Sequence, residues 1–219
     1  MSESAGNTKS EQTFLPAANW DWLLPIYDPF VKLLGGEAAR KQLIEQAHLQ
    51  PGHNVLDVGC GTGTLAVLAK RFHPEVSVNG LDPDPKALSR ARSKAARARV
   101  SVNFDQGFGD HLPYAAATFD RVFSSLMYHH IPSQQKEAVL REVHRVLKPG
   151  GEFHLCDFEV DHTGARGLLL RLSHAKDLLK DNTAERVLSL MQRAGFQNCS
   201  KTARRSMLVG TVAYYRAKR

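Results

Sequence analysis

One stretch restricts this chain more than any other: residues Asn54 to Leu65 read Asn-Val-Leu-Asp-Val-Gly-Cys-Gly-Thr-Gly-Thr-Leu. Val55 to Val58 is a short apolar, β-branched run of the kind that makes a buried parallel strand. Gly59, Gly61 and Gly63 follow at once, and Thr64 to Phe72 is a good helix. The order is strand, tight glycine turn, helix, which is the geometry of a nucleotide site. Glycine permits positive φ and lets a ligand come within contact distance of the main chain, an approach any Cβ would obstruct.

The spacing is informative. The dinucleotide fingerprint is Gly-x-Gly-x-x-Gly, whereas here the third glycine comes one residue early, as Gly-Cys-Gly-Thr-Gly. Asp57 stands two residues before the first glycine, and Asp82 ends the next apolar run, Val76 to Leu81. Asp82 lies at roughly the 20-residue separation at which an acid reaches a ribose hydroxyl pair. At these residues the chain resembles the class I S-adenosylmethionine-dependent methyltransferases. Their Asp-x-Gly-x-Gly-x-Gly loop matches Asp57, Gly59, Gly61 and Gly63, and their ribose-binding acid matches Asp82. The resemblance implies an α/β fold: a Rossmann-like, doubly wound, mostly parallel seven-stranded sheet with an antiparallel last strand.

With 219 residues, one domain is expected, spanning residues 14–219 behind a polar, aperiodic tail at 1–13 that reads as disordered. Within it, 14–49 form an N-terminal cap and 50–219 the Rossmann-like core. Cys60, Cys156 and Cys199 are widely spaced, without the close pairs of a zinc site or a disulfide scaffold, so no metal site is expected and a reducing cytoplasm is the simplest location. The first residues lack the basic patch and apolar core of a secretory signal, and no uncharged apolar run approaches the ~18 residues of a membrane span.

The net charge of +7 suits an acidic partner. Much of the excess lies between Pro85 and Val100, where Lys86, Arg90, Arg92, Lys94, Arg97 and Arg99 occur without an acid. Leu88, Ala91, Ala95 and Ala98 fall at helical spacing on the opposite face, so a solvated outer face over a sheet is the plain reading and phosphate binding the alternative.

Phe14 to Phe30 holds both tryptophans, Trp20 and Trp22, and is broken by Pro16, Pro25 and Pro29. Three readings stay open: a lid that brings Tyr27 near cofactor or substrate, a cover over the core edge, or contact with a membrane surface. Glu37 to Leu49 reads as an amphipathic helix, and Val100 to Phe104 as the third strand. In the family the loop after that strand carries an Asp, bonded to the adenine amino group, directly behind its first glycine. Here Phe108 follows Gly107 in that place. Its ring can pack against a purine but cannot accept that hydrogen bond, and Asp110 is the nearest other acceptor.

Phe119 to Leu126 is a fourth buried strand, ending Ser124-Ser125-Leu126-Met127-Tyr128-His129-His130. In open α/β sheets, ligands bind outside the carboxyl ends of the strands, so these residues belong beside the reacting groups. The Asn/Asp-Pro-Pro-Tyr/Phe signature of enzymes that methylate base amino groups is missing here, which argues against nucleic acid as partner. Ser133 to Leu147 is a helix with Ser133 as its cap, ended by Lys148-Pro149-Gly150-Gly151 before a fifth strand from Glu152 to Phe158. The phrase Arg145-Val146-Leu147-Lys148-Pro149-Gly150-Gly151 closely matches a family hallmark. It is nearest to the small-molecule methyltransferases of the ubiquinone and menaquinone type, whose fourth strand often ends in a similar Leu-His-His phrase. Residues 164–180 carry a helical leucine stripe that is either core or an apolar lining for a lipophilic acceptor. Ala184 to Ala194 is a helix stopped by Gly195, and Ser200 to Ser206 and Leu208 to Tyr215 are the last strands, in the family an antiparallel pair with the final strand inserted between the fifth and sixth.

The resemblance implies S-adenosyl-L-methionine as cofactor and a small, lipophilic or aromatic methyl acceptor. It places Asp57, Gly59, Cys60, Gly61, Gly63, Asp82, Pro83, Gly107, Phe108 and Ser125 around the cofactor, with Met127, Tyr128 and Tyr27 toward the substrate. A methyl sulfonium is already activated, so holding the acceptor in line is the main task. Where the acceptor must lose a proton, His129 and His130 are the candidate bases, the family phrase favouring His130. Two rivals remain at this level, a non-catalytic S-adenosylmethionine-binding protein and an NAD(P)-dependent oxidoreductase.

Overall fold

The structure, a computed structural model, describes residues 36–159, 182–207 and 210–219. The readings for the tail, for the segment holding Tyr27 and for 164–180 lie outside them. Seven strands form one sheet: β1 Asn54–Val58, β2 Ser77–Asp82, β3 Asn103–Gln106, β4 Phe119–Ser125, β5 Leu147–Phe158, β6 Gln197–Met207 and β7 Gly210–Lys218. Their order is β3-β2-β1-β4-β5-β7-β6. The first five run parallel, and β7 pairs antiparallel with both β5 and β6. The expected inserted last strand is therefore present.

Among the described residues, five helices cover the two faces: α1 Gly36–Gln46, α2 Thr64–Phe72, α3 Pro85–Ala98, α4 Ser133–Val146 and α5 Ala184–Arg193. Period-two alternation divides the buried side chains between two layers. Val55, Val78, Phe123 and Tyr214 pack with Leu43 and Ile44 of α1, Leu68 of α2 and Leu88 and Ala91 of α3. Leu56, Val122, Phe153, Leu155 and Tyr215 pack with Leu140 and Val143 of α4 and Leu190 and Met191 of α5. A sheet whose residues are buried alternately on both faces needs apolar side chains throughout, which is why β1 and β4 read as nearly continuous apolar runs. On α3 the small residues Ala87, Ala91 and Ala95 lie inward, while Lys86, Arg92, Arg97 and Arg99 are exposed, as a solvated outer face requires.

Several boundaries differ from the sequence reading for local reasons. The third strand starts at Asn103 rather than Val100, because the end of α3 engages Arg99 and Val100. Arg99 turns left-handed at φ +55°, and the Val100 N–H closes back on the Ala95 carbonyl at 3.1 Å. Ser133 is the first helical residue of α4, not its cap; the Pro132 carbonyl opens the helix, accepting from Gln135 and Lys136. Lys148 to Gly151 does not separate helix from strand. β5 already pairs at Leu147 with Phe119, and the glycines sit in a register shift before Glu152 pairs with Arg121. Gly150 takes φ +78° there, and a Cβ on Gly151 would lie 2.9 Å from the Lys148 carbonyl oxygen.

Candidate functional site

Strand order reverses between β1 and β4, and at such a break the loops at the carboxyl ends part to leave a crevice. The glycine loop leaves β1 at that point. Its first two N–H groups, of Gly59 and Cys60, both donate to the Leu81 carbonyl on β2, at 2.8 and 3.0 Å. The Gly61 N–H donates to Asp82 Oδ2 at 2.8 Å, so the acid that ends β2 holds the middle of the loop. Asp82 Oδ1 accepts from the Asp84 N–H at 3.0 Å, which fixes the carboxylate plane and leaves each oxygen a further lone pair.

The three glycines are required for different reasons. A Cβ on Gly59 would fall 2.2 Å from Met127 Cγ, so Met127 packs onto bare backbone. A Cβ on Gly63 would meet Ala91 at 2.8 Å, where the start of α2 presses on α3. Gly61 has nothing within 4 Å of that position and φ +53°, so the loop is open there. The Cys60 thiol turns into the core layer, and burial pushes its pKa well up. Pro83 lies beside Asp82 with its carbonyl held by the Gln106 side chain at 3.1 Å. Gly107 bonds back to the Asp82 carbonyl at 3.2 Å, and Phe108 follows, half-buried, at the end of β3.

Asp57 is 2% exposed. Burial raises its pKa to about 7, against the opposing charge of Arg40 and a hydrogen bond from the Ala66 N–H, with Asp82 adding to the rise. Among the described residues its Oδ2 has no hydrogen-bond partner, and neither has the hydroxyl of Ser125 at the end of β4. Two unsatisfied buried polar atoms beside an open glycine loop fit a polar ligand seated over β1 and β4.

Past β4, Leu126 takes φ +57° and the chain turns into a short 3₁₀ segment, Tyr128–His130. Tyr128 goes inward: it is 1% exposed, in the layer under α4, with the Lys136 ammonium 4.7 Å from its ring centre. It therefore supports the rim from beneath. The two histidines divide sharply. His129 Nδ1 lies 2.6 Å from Asp157 Oδ1, and its backbone N–H donates to Asp157 Oδ2 at 3.0 Å. Asp157, the penultimate residue of β5, is 2% exposed and also accepts from the Phe158 N–H at 2.6 Å. Burial alone would raise its pKa, but His129 and these N–H groups outweigh that and hold it below the usual carboxylate range. An ionised Asp157 accepts, so Nδ1 of His129 is the donor, and in the neutral ring Nε2 is the acceptor. His130 lies against His129, ring centres 4.0 Å apart and planes tilted by 39°, and burial, with the charge of its neighbour, pushes its pKa down to about 4. The orienting acid thus falls to His129, not to the histidine that the family phrase favours. Asp157 went unnoticed in the sequence, although its place at the end of a buried strand run is the signal that singled out Asp57 and Asp82.

An α/β sheet with a glycine loop at its order reversal and an acid closing the adjacent strand defines the Rossmann-like nucleotide-cofactor class. Residues 55–151 match the methyltransferase domain family. The chain is 36% identical over 140 residues to an uncharacterized methyltransferase of Synechocystis, covering 63% of each. It is 31% identical over 153 residues to a demethylmenaquinone methyltransferase of Thermus thermophilus, covering 68% of this chain and 69% of that one. A solved methyltransferase from Aquifex aeolicus, described as S-adenosylmethionine-dependent, superposes with a TM-score of 0.65 at 17% identity, over 82% of this chain and 88% of that one. The chain belongs to the class I S-adenosylmethionine-dependent methyltransferase family. It spans about half to two thirds of the length of the curated relatives it matches.

Proposed function

We propose that this chain transfers the methyl group of S-adenosylmethionine to a hydroxyl, or a comparably acidic centre, of a small aromatic or lipophilic molecule in the cytoplasm, with His129 as the base. The observation that carries this reading is the His129–Asp157 pair at 2.6 Å, set on the rim beside the glycine loop. A buried acid that fixes one nitrogen of an imidazole leaves the other directed to take a proton. An acceptor that needed no deprotonation would have no use for it.

The residues fit the cofactor. Asp82 has lone pairs left for the ribose hydroxyls beyond those bonded to Gly61 and Asp84, Gly61 leaves room at the loop, and Asp57 Oδ2 and Ser125 Oγ are buried acceptors awaiting donors. When bound there, S-adenosylmethionine supplies a methyl group already activated as a sulfonium. His129 Nε2 would take the proton of the acceptor hydroxyl, and Asp157 would stabilise the imidazolium that results. His130, held neutral, leaves that charge unopposed by a second cation. Met127, Phe108 and Phe158 offer apolar surface near the rim, and several relatives are named demethylmenaquinone methyltransferases, which supports an aromatic, lipophilic acceptor. The glycine spacing argues against an oxidoreductase, and an oriented base argues against a pure binder.

The test is to incubate the protein with methyl-labelled cofactor and a metabolite extract and identify the compound that gains label. Label on an oxygen or acidic carbon, lost in His129→Ala, is the expected result. Transfer that is indifferent to His129 would refute the role of the base, and absence of transfer with tight cofactor binding would leave the binder.

A further inference from the structure

The amphipathic pattern of α4 leaves one residue unaccounted for. Lys136 stands on the inward stripe that Val139, Leu140 and Val143 continue, and it is 1% exposed. Burying an ammonium is costly unless it is paired or hydrogen-bonded, and here it also lies near the positive end of the helix dipole. For packing alone a leucine would serve better.

The charge has two arms. Nζ lies 4.7 Å from the centre of the Tyr128 ring, and it donates to Asn182 Oδ1 at 2.9 Å. Asn182, itself 1% exposed, carries the second arm onward, its Nδ2 donating to the Phe158 carbonyl at 3.1 Å. One arm therefore ends on the residue before His129 and the other on the residue after Asp157. Phe158 meets the pair twice more: its N–H donates to Asp157 Oδ1 at 2.6 Å, and its ring stands edge-on to the His129 imidazole, centres 5.4 Å apart at 75°.

The histidine comes from the turn after β4 and the acid from near the end of β5, and the pairing of these strands stops at Ser125 and Cys156, before either is reached. A reacting pair needs its partners held within roughly 0.5 Å, which calls for support beyond the strand ladder. We propose that Lys136 is the positioning residue of the His129–Asp157 pair, fixing the turn through the Tyr128 ring and the end of β5 through Asn182. This rests on the base reading above and adds to it a buried cation on a third element.

The test is nitrogen-15 NMR of the histidine rings in the full chain at a pH of about 8, where ordinary histidine is neutral and the spectrum reads which ring nitrogen holds the proton. The His129 signal is identified by its absence from His129→Ala. In the wild type it should show a single form, protonated on Nδ1. Lys136→Met keeps the apolar stem and removes both arms, whereas Asn182→Asp keeps the bond to Lys136 but cannot donate to Phe158. Both should turn the single form into a mixture of the two tautomers, Lys136→Met the more completely, with the signal of His154, at the other end of β5, unchanged. If Lys136→Met does not fold, as judged by circular dichroism, Asn182→Asp decides. A folded variant that melts earlier yet keeps the single Nδ1-protonated form overturns the proposal and leaves Lys136 a packing residue. A wild type without a proton on Nδ1 overturns the base reading instead.

Discussion

Asp157→Asn probes the base most directly, because it changes one oxygen to an amide nitrogen and leaves the volume almost unaltered. In the native protein Asp157 accepts three hydrogen bonds: His129 Nδ1 at 2.6 Å, the His129 N–H at 3.0 Å and the Phe158 N–H at 2.6 Å. An asparagine satisfies these only in part. With its oxygen toward Nδ1, its NH₂ confronts the His129 N–H, leaving a buried donor unmet at a cost of about 1–3 kcal/mol. Turned the other way, its NH₂ points at Nδ1 and moves the imidazole proton to Nε2, which removes the base. Either way the melting temperature should fall, by about 2–12 °C at roughly 2–4 °C per kcal/mol for a chain of this size. Turnover should fall by about 10²–10⁴, with cofactor affinity within about threefold of wild type, since a tenfold change would need ~1.4 kcal/mol of lost binding.

The pH dependence has a definite sign. The native pKa of Asp157 lies below the unfolded value of about 3.9. Its stabilisation is therefore fully present above that pH and lost as pH falls through the native value, so wild type and variant should converge in strong acid. Calorimetric melting at several pH values, single-turnover methyl transfer and cofactor titration measure the three quantities. A folded variant with wild-type turnover would refute the base, and equal losses in turnover and cofactor affinity would show that Asp157 merely shapes the site.

Asp82→Ala should weaken cofactor binding by about tenfold to a hundredfold, and Asp82→Asn by less, because an amide oxygen can still hold Gly61; equal affinity in all three forms by calorimetry would end the ribose assignment. With Asp57 titrating near 7, burial destabilises its charged form as pH rises from about 4 toward 7, so Asp57→Asn should stabilise the unliganded protein increasingly over that range in melting experiments. A cofactor ammonium set against Asp57 should drive it to ionise, so that binding at pH 7 releases about half a proton, visible as a calorimetric enthalpy that varies with buffer. His130, held to about 4, costs stability as pH falls below about 6.5, where the unfolded chain takes up a proton that the native one refuses; His130→Asn should flatten the acid limb by about 1 kcal/mol per pH unit.

Much of this molecule is legible along the chain because its central elements are local. The Val55–Val58 run, the three glycines and the helix behind them follow from burial on both faces and from backbone conformations that only glycine takes cheaply. Asp57 and Asp82 are legible because a strand end at a fixed spacing from the loop has only one place to be. Boundaries set by competition for single hydrogen bonds are not legible in the same way. Val100 closes α3 rather than opening β3, and Lys148 to Gly151 lie inside a strand, because those choices depend on partners, Ala95 in one case and Phe119 in the other.

The site divides likewise. Sequence identifies a pair of adjacent histidines but cannot rank them, since the ranking rests on Asp157, 28 residues away and adjacent only once β4 and β5 pair. The sequence by itself therefore determines the sheet, the glycine loop and the acids that stand beside it. Tertiary structure alone decides which imidazole the buried Asp157 orients, since that depends on neighbours that the chain brings together only by folding.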